Sequence, residues 1–175
     1  MTIKLTLPAL AIAGIMACGQ ATAADTGTIT FTGTILTAAC TVATASTTQT
    51  ISMGNISNVG LTAGIGATAL PTPVAIVIDD CPTAPTNISI RFSGSADAGN
   101  PTLLALDSGS VASGFGIALF ESDGSTAINL GVDSAPRDVP IAGATLNFVA
   151  KLVSTAATIV EGAYTATANF TVIYN

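Results

Sequence analysis

The last fourteen residues of the chain, Gly162 to Asn175, alternate between apolar and polar side chains with a period of two. One face would carry Tyr164, Ala166, Ala168, Phe170, Val172 and Tyr174. Because successive side chains of a β-strand point to opposite faces, the pattern predicts a long strand with one buried face. This strand runs to within one residue of the chain end, so no following segment is available to pair with its free edge. We therefore expect something else to cover that edge.

The start of the chain has the features of a secretory signal peptide. Lys4 is its only early charge, and the apolar run from Leu5 to Ala17 is too short to cross a bilayer. Small residues favour a cut after Ala23, which would leave about 152 residues, enough for one domain with a core. The residues before Cys18 loosely resemble a lipoprotein cleavage box, so a lipid on Cys18 is the alternative, and intact-mass measurement would decide between the two.

Only two cysteines, Cys40 and Cys81, follow the leader. Two cysteines in an exported protein most often form one disulfide, because the exterior and the periplasm are oxidising. Such a bridge is worth ~3–4 kcal/mol in the chain-entropy account. Two free thiols are the alternative.

The charge and the missing residue types exclude several classes of function. After the leader, three basic side chains face ten acidic ones, a net charge of −7, which argues against nucleic acid as a partner. The chain has no His, so it cannot form a Ser-His-Asp or Cys-His arrangement. Asp79 and Asp80 would point opposite ways on a strand, and Gly60–Gly66 lacks the ending of a phosphate loop. We expect no catalysis, cofactor or metal.

The region after the leader is predicted to be all-β. Thr, Val, Ile, Ala and Gly dominate, and turn residues separate short apolar alternations at spacings of roughly ten residues. The irregular stretch from Ser57 to Pro73 has room for a short helix. The composition and spacing predict a single antiparallel β-sandwich. Its strands are predicted at residues 27–38, 40–44, 73–80, 86–93, 102–106, 114–121, 125–130, 145–154 and 163–174.

A second alternating segment lies directly behind the leader. Ile29, Phe31, Gly33 and Ile35 share one face, and threonines occupy the other. This segment is either the first strand of the protein's own sheet or an extension that pairs elsewhere. The Thr-x-Thr ladder also permits an ice-binding interpretation, but Thr is favoured on any exposed strand face.

Together these features resemble the pilin subunits of chaperone–usher fimbriae. The similarity covers essentially the whole mature chain and rests on the order and spacing of several short motifs. They are the Phe31-x-Gly33-x-Ile35 stretch, the Ala38–Val42 motif around Cys40, Cys81 about forty residues later, Gly114–Leu119 as a central strand, Gly162 and the penultimate Tyr174.

The resemblance implies an incomplete immunoglobulin-like β-sandwich that lacks its final strand and is completed by donor-strand exchange. Residues 1–23 would be the signal peptide, 24–38 the donor extension and 39–175 the sandwich. Ile29, Phe31 and Ile35 would fill pockets in a neighbouring subunit, with Gly33 where the groove is shallow. The acceptor groove, which a chaperone would also bind, would be formed by Gly162, Tyr164, Ala166, Ala168, Phe170, Val172, Tyr174 and Asn175.

The implied function is a structural subunit of a bacterial surface fimbria that polymerises head to tail and supports cell adhesion. Its partners would be neighbouring copies or related pilins, a periplasmic chaperone that holds the carboxylate of Asn175, and an outer-membrane usher. The subunit would be exported through the periplasm to the cell surface. Two alternatives stay open: a minor or adaptor pilin of the same fibre, and a monomeric secreted β-sandwich that binds a ligand and pairs residues 27–36 within its own sheet.

Overall fold

The computed structural model describes residues 28–33, 40–81 and 86–175, and the chain divides into two units, Met1–Ile35 and Leu36–Asn175. In the first unit, residues 28–33 form no strand, and the side chains of Ile29 and Phe31 are 78% and 89% exposed. The predicted strand at 27–38 is therefore wrong over residues 28–33, and its remainder lies outside the described residues. An alternating segment becomes a strand only when another strand accepts and donates its backbone hydrogen bonds.

The described part of the second unit is nearly all β. It contains a short helix α1 (Thr44–Thr47), a single 3₁₀ turn (Asn58–Gly60) and eight strands. The strands are β1 (Thr41–Val42), β2 (Thr68–Asp79), β3 (Thr86–Gly94), β4 (Phe115–Glu121), β5 (Ala127–Ile128), β6 (Arg137–Val139), β7 (Ala144–Ser154) and β8 (Ala168–Tyr174). No helix among these residues is long and apolar enough to span a membrane.

The strands form two antiparallel sheets that pack face to face, as predicted. One sheet has the order β1-β2-β7-β4-β5 and the other has the order β6-β3-β8. Apolar side chains from both sheets fill the space between them, and Phe92 of β3 meets Phe148 of β7 edge to face at 5.2 Å. Alternation along β3 and β7 buries one face of each strand, which is the packing of a two-sheet sandwich.

A disulfide joins Cys40 and Cys81 at one end of the sandwich, which confirms the predicted pairing. The Tyr174 hydroxyl donates to the carbonyl oxygen of Cys40 at 3.3 Å, so the end of β8 lies beside the bridge. The Cys81 N–H donates to the Ile141 carbonyl at 3.1 Å, which brings the β6–β7 turn to the same place. We call this end the disulfide pole.

A half-buried ion pair ties the two sheets together along one side. Arg137 Nη2 of β6 donates to Glu121 Oε2 of β4 at 2.6 Å, and the Ala135 N–H donates to Oε1 at 2.6 Å. The Arg137 guanidinium also lies 5.2 Å from the centre of the Phe148 ring. With these partners, the carboxylate of the buried Glu121 keeps charge-assisted hydrogen bonds in place of water.

The predicted strand at 102–106 is absent. Leu104 makes only isolated bridges, to Ala96 and Ile117, although its side chain is buried. Turn hydrogen bonds accepted by the side chains of Asp97 and Asn100 curl the chain just before it, which leaves no straight run for a ladder. The apolar side chains of this segment, Leu103 and Leu104, are therefore buried in a curved loop, which we call the arch, rather than in a strand.

Other element boundaries differ from the predicted ones by a few residues. The segment 40–44 gives only β1 before α1 begins, β2 starts at Thr68 rather than at residue 73, and the predicted strand at 125–130 shrinks to β5. The three-residue β6 was not predicted, because its polar sequence has no alternation of its own. It exists through its pairing with β3, where Thr86 lies opposite Val139.

Candidate functional site

β8 is an edge strand of the three-stranded sheet. Along one side it pairs with β3, from Ile88 opposite Tyr174 to Gly94 opposite Ala168. Within the described residues no strand pairs along its other side. An edge strand with unpaired backbone groups is a template for an additional strand.

The side chains of the C-terminal segment keep the predicted two-residue period. Tyr164, Ala166, Phe170, Val172 and Tyr174 are half-buried, whereas the threonines and Asn169 between them are exposed. Ala168 departs from the pattern because it is also exposed.

The strand itself is shorter than the predicted 163–174. Residues before Ala168 stay extended but bond to a loop, since β3 ends at Gly94 and offers them no partner. The Asp107 N–H donates to the Thr165 carbonyl at 2.8 Å, and the Val111 N–H donates to the Ala163 carbonyl at 2.9 Å.

These bonds determine which backbone groups point to the open edge. In a strand, the N–H and C=O of one residue point to one side, and those of the next residue point to the other. Ala163, Thr165 and Asn175 all bond toward the β3 side, and the Asn175 N–H donates to the Asn87 carbonyl at 2.9 Å. The intervening even-numbered residues therefore direct their N–H and C=O groups toward the open edge. They are residues 164, 166, 168, 170, 172 and 174.

A groove of about 1420 Å³ opens beside this segment, between the two sheets. Residues 162–170 form one wall, which we call the β8-side wall, and Ser46 to Asn58 form the other. The floor consists of apolar side chains from both sheets, namely Val74, Ile76, Phe92, Leu104, Phe115, Ile117, Leu119, Ala150 and Leu152. The volume exceeds the ~300–1,000 Å³ typical of small-molecule sites, and the long walls suit an extended chain.

Tyr164 is the largest side chain on the β8-side wall. Its ring packs edge to face on Phe115, with the centroids 5.2 Å apart. Its hydroxyl is buried and has no hydrogen-bond partner among the described residues. Burial raises the pKa of this hydroxyl above the ordinary value. A buried, unpaired hydroxyl is costly, so packing against Phe115 rather than a hydrogen bond holds Tyr164 at this wall.

The groove is almost free of charge. Glu161 is the only charged side chain among the described residues that line it, and it lies at the end beside Gly162. Asn58 Nδ2 donates to Glu161 Oε1 at 2.6 Å and so joins the two walls at that end. Such a surface favours an uncharged, largely apolar occupant.

The predicted site residues do not all lie in the groove. Gly162 and the even residues from Tyr164 to Phe170 line it, whereas Val172 and Tyr174 continue along the same edge and pack against the core. Asn175 lies at the disulfide pole, where its Nδ2 donates to Ser89 Oγ at 2.9 Å. Ile29, Phe31 and Gly33 belong to the first unit, and Ile35 lies outside the described residues.

Sequence reasoning missed the floor and the second wall. The floor side chains of β3 and β4 could have been found from the alternation of those strands, which points Phe92 and Ile117 inward. The wall from Ser46 to Asn58 has no periodic signal. It is held by tertiary bonds, in which the Val77 N–H donates to Ser46 Oγ at 2.9 Å and Gln49 Nε2 donates to the Ala75 carbonyl at 3.1 Å.

Gly162 fixes the start of the β8-side wall, and its replacement by Ala should destabilise the protein. Its φ is +151°, which side chains rarely adopt, and a Cβ would lie 2.7 Å from Val111 Cγ1. We expect a loss of about 1–3 kcal/mol, seen as a fall of several degrees in Tm by circular dichroism.

Two glycines provide matched controls for this substitution. The new Cβ of Gly109→Ala meets no atom within 4 Å in the part of the chain that the structure describes, and Gly109 has no positive φ, so this variant should leave Tm unchanged. Gly131 has a φ of +81°, and a Cβ there meets no described atom within 4 Å, so Gly131→Ala isolates the backbone strain from the contact with Val111. Equal Tm values for Gly162→Ala, Gly109→Ala and Gly131→Ala would mean that neither the positive φ of Gly162 nor its close approach to Val111 requires glycine at this position.

The architecture defines a class of protein: a β-sandwich whose last strand leaves an apolar groove open along one edge. A model of the family described as "Fimbrial protein" matches residues 29–175, and the chain belongs to this family. The resemblance seen in the sequence is thereby confirmed.

Similar proteins agree with this assignment. The chain is 33% identical to a "Fimbrial subunit type 1" of Salmonella typhimurium over 112 residues, which span 61% of this chain and 60% of that relative. A solved antigen and type I fimbria protein of Burkholderia pseudomallei is 31% identical, with a TM-score of 0.61 over 78% of this chain and 90% of that one.

The fold also matches that of the P pilus rod subunit PapA, with a TM-score of 0.65 and 22% identity. This likeness covers 79% of the present chain and all of PapA. The two sheets therefore form an immunoglobulin-like sandwich, as expected from the sequence.

Proposed function

We propose that this chain is a structural subunit of a bacterial surface fimbria that polymerises head to tail and so supports cell adhesion. Each copy would donate its N-terminal segment as a strand to the groove of a neighbouring copy. The observation that carries the proposal is the open edge of β8 above an apolar groove. Adding a strand there is β-augmentation, in which backbone bonds give affinity and alternate pockets give specificity.

The N-terminal segment has the chemistry that this groove favours. From Gly27 to Ala39 the sequence contains no charged residue, and its apolar side chains alternate with threonines. Ile29 and Phe31 are 78% and 89% exposed, so they are available to another copy. A Cβ added at Gly33 would meet no atom of the described residues within 4 Å. Its lack of a side chain would suit a position where the donor passes close to the floor.

The burial energies are large enough for a durable joint. Burying Ile29, Phe31 and Ile35 contributes about 1.5–3 kcal/mol each, before the entropy of ordering the segment is subtracted. The even-numbered residues of the open edge add backbone hydrogen bonds at about 0.5–1.5 kcal/mol each. A head-to-tail contact of this kind does not close on itself and so produces a filament.

A subunit with an open groove needs protection before assembly. We infer that a periplasmic chaperone supplies a temporary strand to the β8 edge and that an outer-membrane usher receives the complex on its way to the surface. Asn175, which would offer its carboxylate to the chaperone, is held at the disulfide pole by Asn87 and Ser89. That position is at the end of the same edge strand.

Deletion of residues 24–36 tests the proposal. Because the donor strand is removed and the groove is untouched, the variant should still bind its chaperone but form no fibres, as judged by electron microscopy and pull-down. A control that deletes only residues 24–26 keeps the alternating segment and should assemble normally. Fibres from the longer deletion would disprove donation by this segment.

The monomeric alternative depended on pairing residues 27–36 within the protein's own sheet. Residues 28–33 form no strand, so the described part of that segment contradicts it. A minor or adaptor pilin would share the same groove and the same extension, and its share of the protein in purified fibres would identify it.

A further inference from the structure

Three exposed valines surround the end of the groove that lies farthest from the disulfide. Val59, Val111 and Val160 are 73%, 67% and 47% exposed. Backbone bonds hold their segments together, since the Ser113 and Val160 backbones exchange two hydrogen bonds and the Val111 N–H donates to Ala163. The bond from Asn58 to Glu161 brings Val59 into the same group. We call these three side chains the valine rim.

A second exposed apolar feature lies at the disulfide pole. The turn between β6 and β7 presents Pro140, Ile141 and Ala142 to solvent, and Ile141 is 55% exposed. The hydrogen bond from Cys81 to Ile141 fixes this turn beside the bridge to Cys40, which lies two residues after the end of the predicted donor segment 24–38.

The chain length between donor and body limits how far apart two joined copies can be. Four residues separate Ile35, the last of the alternating residues that would fill pockets in the groove, from Cys40. Five Cα steps span at most about 18 Å even when fully extended. When Ile35 lies in the groove of one copy, the disulfide pole of the donating copy must therefore lie close to the end at which its strand leaves that groove.

The strand direction decides which end this is. Every strand pairing among the described residues is antiparallel, and antiparallel ladders are slightly more stable than parallel ones. An antiparallel donor beside β8 would place Ile35 near Tyr164. The donor strand would therefore leave the groove at the valine rim. The opposite end is occupied by the acceptor's own Cys40, which accepts the hydrogen bond from Tyr174.

We propose that consecutive copies also touch outside the groove, with the valine rim of the accepting copy packed against the Pro140–Ala142 turn of the donating copy. This inference rests on the proposed function and adds a second contact to each joint. Exposed apolar side chains lie at the valine rim and at the disulfide pole, and the four residues between Ile35 and Cys40 would bring these two surfaces together. Such an arrangement favours packing between them. Because the surfaces are small, the contact would limit bending at the joint rather than hold the copies together.

Acidic side chains flank both surfaces. Asp79 and Asp80 lie beside the turn, where Gly143 contacts the backbone of β2, and Glu161 lies beside Val160. Like charges across the joint repel, and salt screens this repulsion. The contact should therefore tighten as ionic strength rises.

Cysteine pairs test the contact in fibres of the full chain. Val59, Val111 and Val160 are each replaced by Cys together with Ile141→Cys, and the fibres are treated with a short bismaleimide. At least one pair should convert most of the protein into covalent dimers and longer ladders on denaturing gels. The yield should increase with salt.

Matched controls separate a specific contact from random crosslinking. Each single-cysteine variant should give no ladder, because a head-to-tail joint requires both partners. Ile141→Cys with Val132→Cys should also give none. Val132 is 53% exposed, but it lies between Gly131, whose N–H donates to the Phe92 carbonyl, and Asp133, which bridges to Arg91, on the side of β3 away from β8.

The outcomes distinguish this inference from the proposed function. Normal fibres without a ladder from any of the three pairs would overturn the contact and leave donor exchange intact, whereas failure of the unmodified chain to polymerise would overturn the proposed function. As a second measurement, Val111→Asp and Ile141→Asp should each reduce the bending persistence length of fibres at least twofold, with Val132→Asp unchanged. Equal stiffness in all three variants would count against the contact.

Discussion

Replacing Phe31 by Asp should abolish fibre formation. The side chain is 89% exposed in its own chain, so the substitution should leave the sandwich intact. In the joint, the variant loses about 1.5–3 kcal/mol of Phe burial. It also forces a carboxylate into a groove that has one charged lining residue among those the structure describes, and that residue, Glu161, is itself acidic. Burying an unpaired charge costs several kcal/mol more, which together corresponds to a loss of at least about 1,000-fold in assembly.

The measurement is the fraction of protein that sediments as fibres, with electron microscopy of the pellet. Thr30→Asp is the matched control, because it adds the same charge to the same segment on the opposite face and should still polymerise. Phe31→Leu keeps an apolar side chain and should assemble with a modest loss. Chaperone binding should be equal in all variants, since it uses the groove and not the donor. Normal fibres from Phe31→Asp would show that this side chain does not enter a neighbouring groove.

The β8-side wall of the groove could be predicted from the sequence because it depends on local geometry. The two-residue period places Tyr164, Phe170 and Val172 on one face wherever the segment is extended, whether it pairs with β3 or with a loop. The long core strands were also predicted closely. The segment 86–93 corresponds to β3 and the segment 145–154 to β7, since their apolar alternation is continuous over many residues.

The rest of the site depends on contacts between distant residues. The wall from Ser46 to Asn58 is polar and irregular, and long-range hydrogen bonds to β2 hold it in place. The alternation around Leu104 predicts a strand, but turn hydrogen bonds bend this segment into an arch that helps to form the floor of the groove. Side-chain bonds that join residues about thirty positions apart leave no periodic trace in a sequence, so these parts required the structure.

Removing the disulfide should cause the largest loss of stability in the folded unit. The bridge joins residues 41 positions apart, and a loop of that size is worth about 4 kcal/mol in the chain-entropy account. This is a large fraction of the ~5–15 kcal/mol that stabilises a typical domain. The bridge also anchors the disulfide pole, where Tyr174 and Ile141 bond to the backbones of Cys40 and Cys81. We expect Cys40→Ser with Cys81→Ser to yield little folded protein and few fibres.

The two single variants show whether the covalent bond itself is responsible. Either substitution breaks the same bond, so Cys40→Ser, Cys81→Ser and the double variant should lose nearly equal free energy of unfolding in urea, about 4 kcal/mol each. Additive losses would instead indicate independent packing of two buried sulfur atoms. Cys18→Ser is the control, because Cys18 belongs to the predicted leader and its replacement should leave the stability of the mature protein unchanged. If Cys18→Ser lowers that stability, the predicted cut after Ala23 is wrong, and the leader contributes to the folded protein.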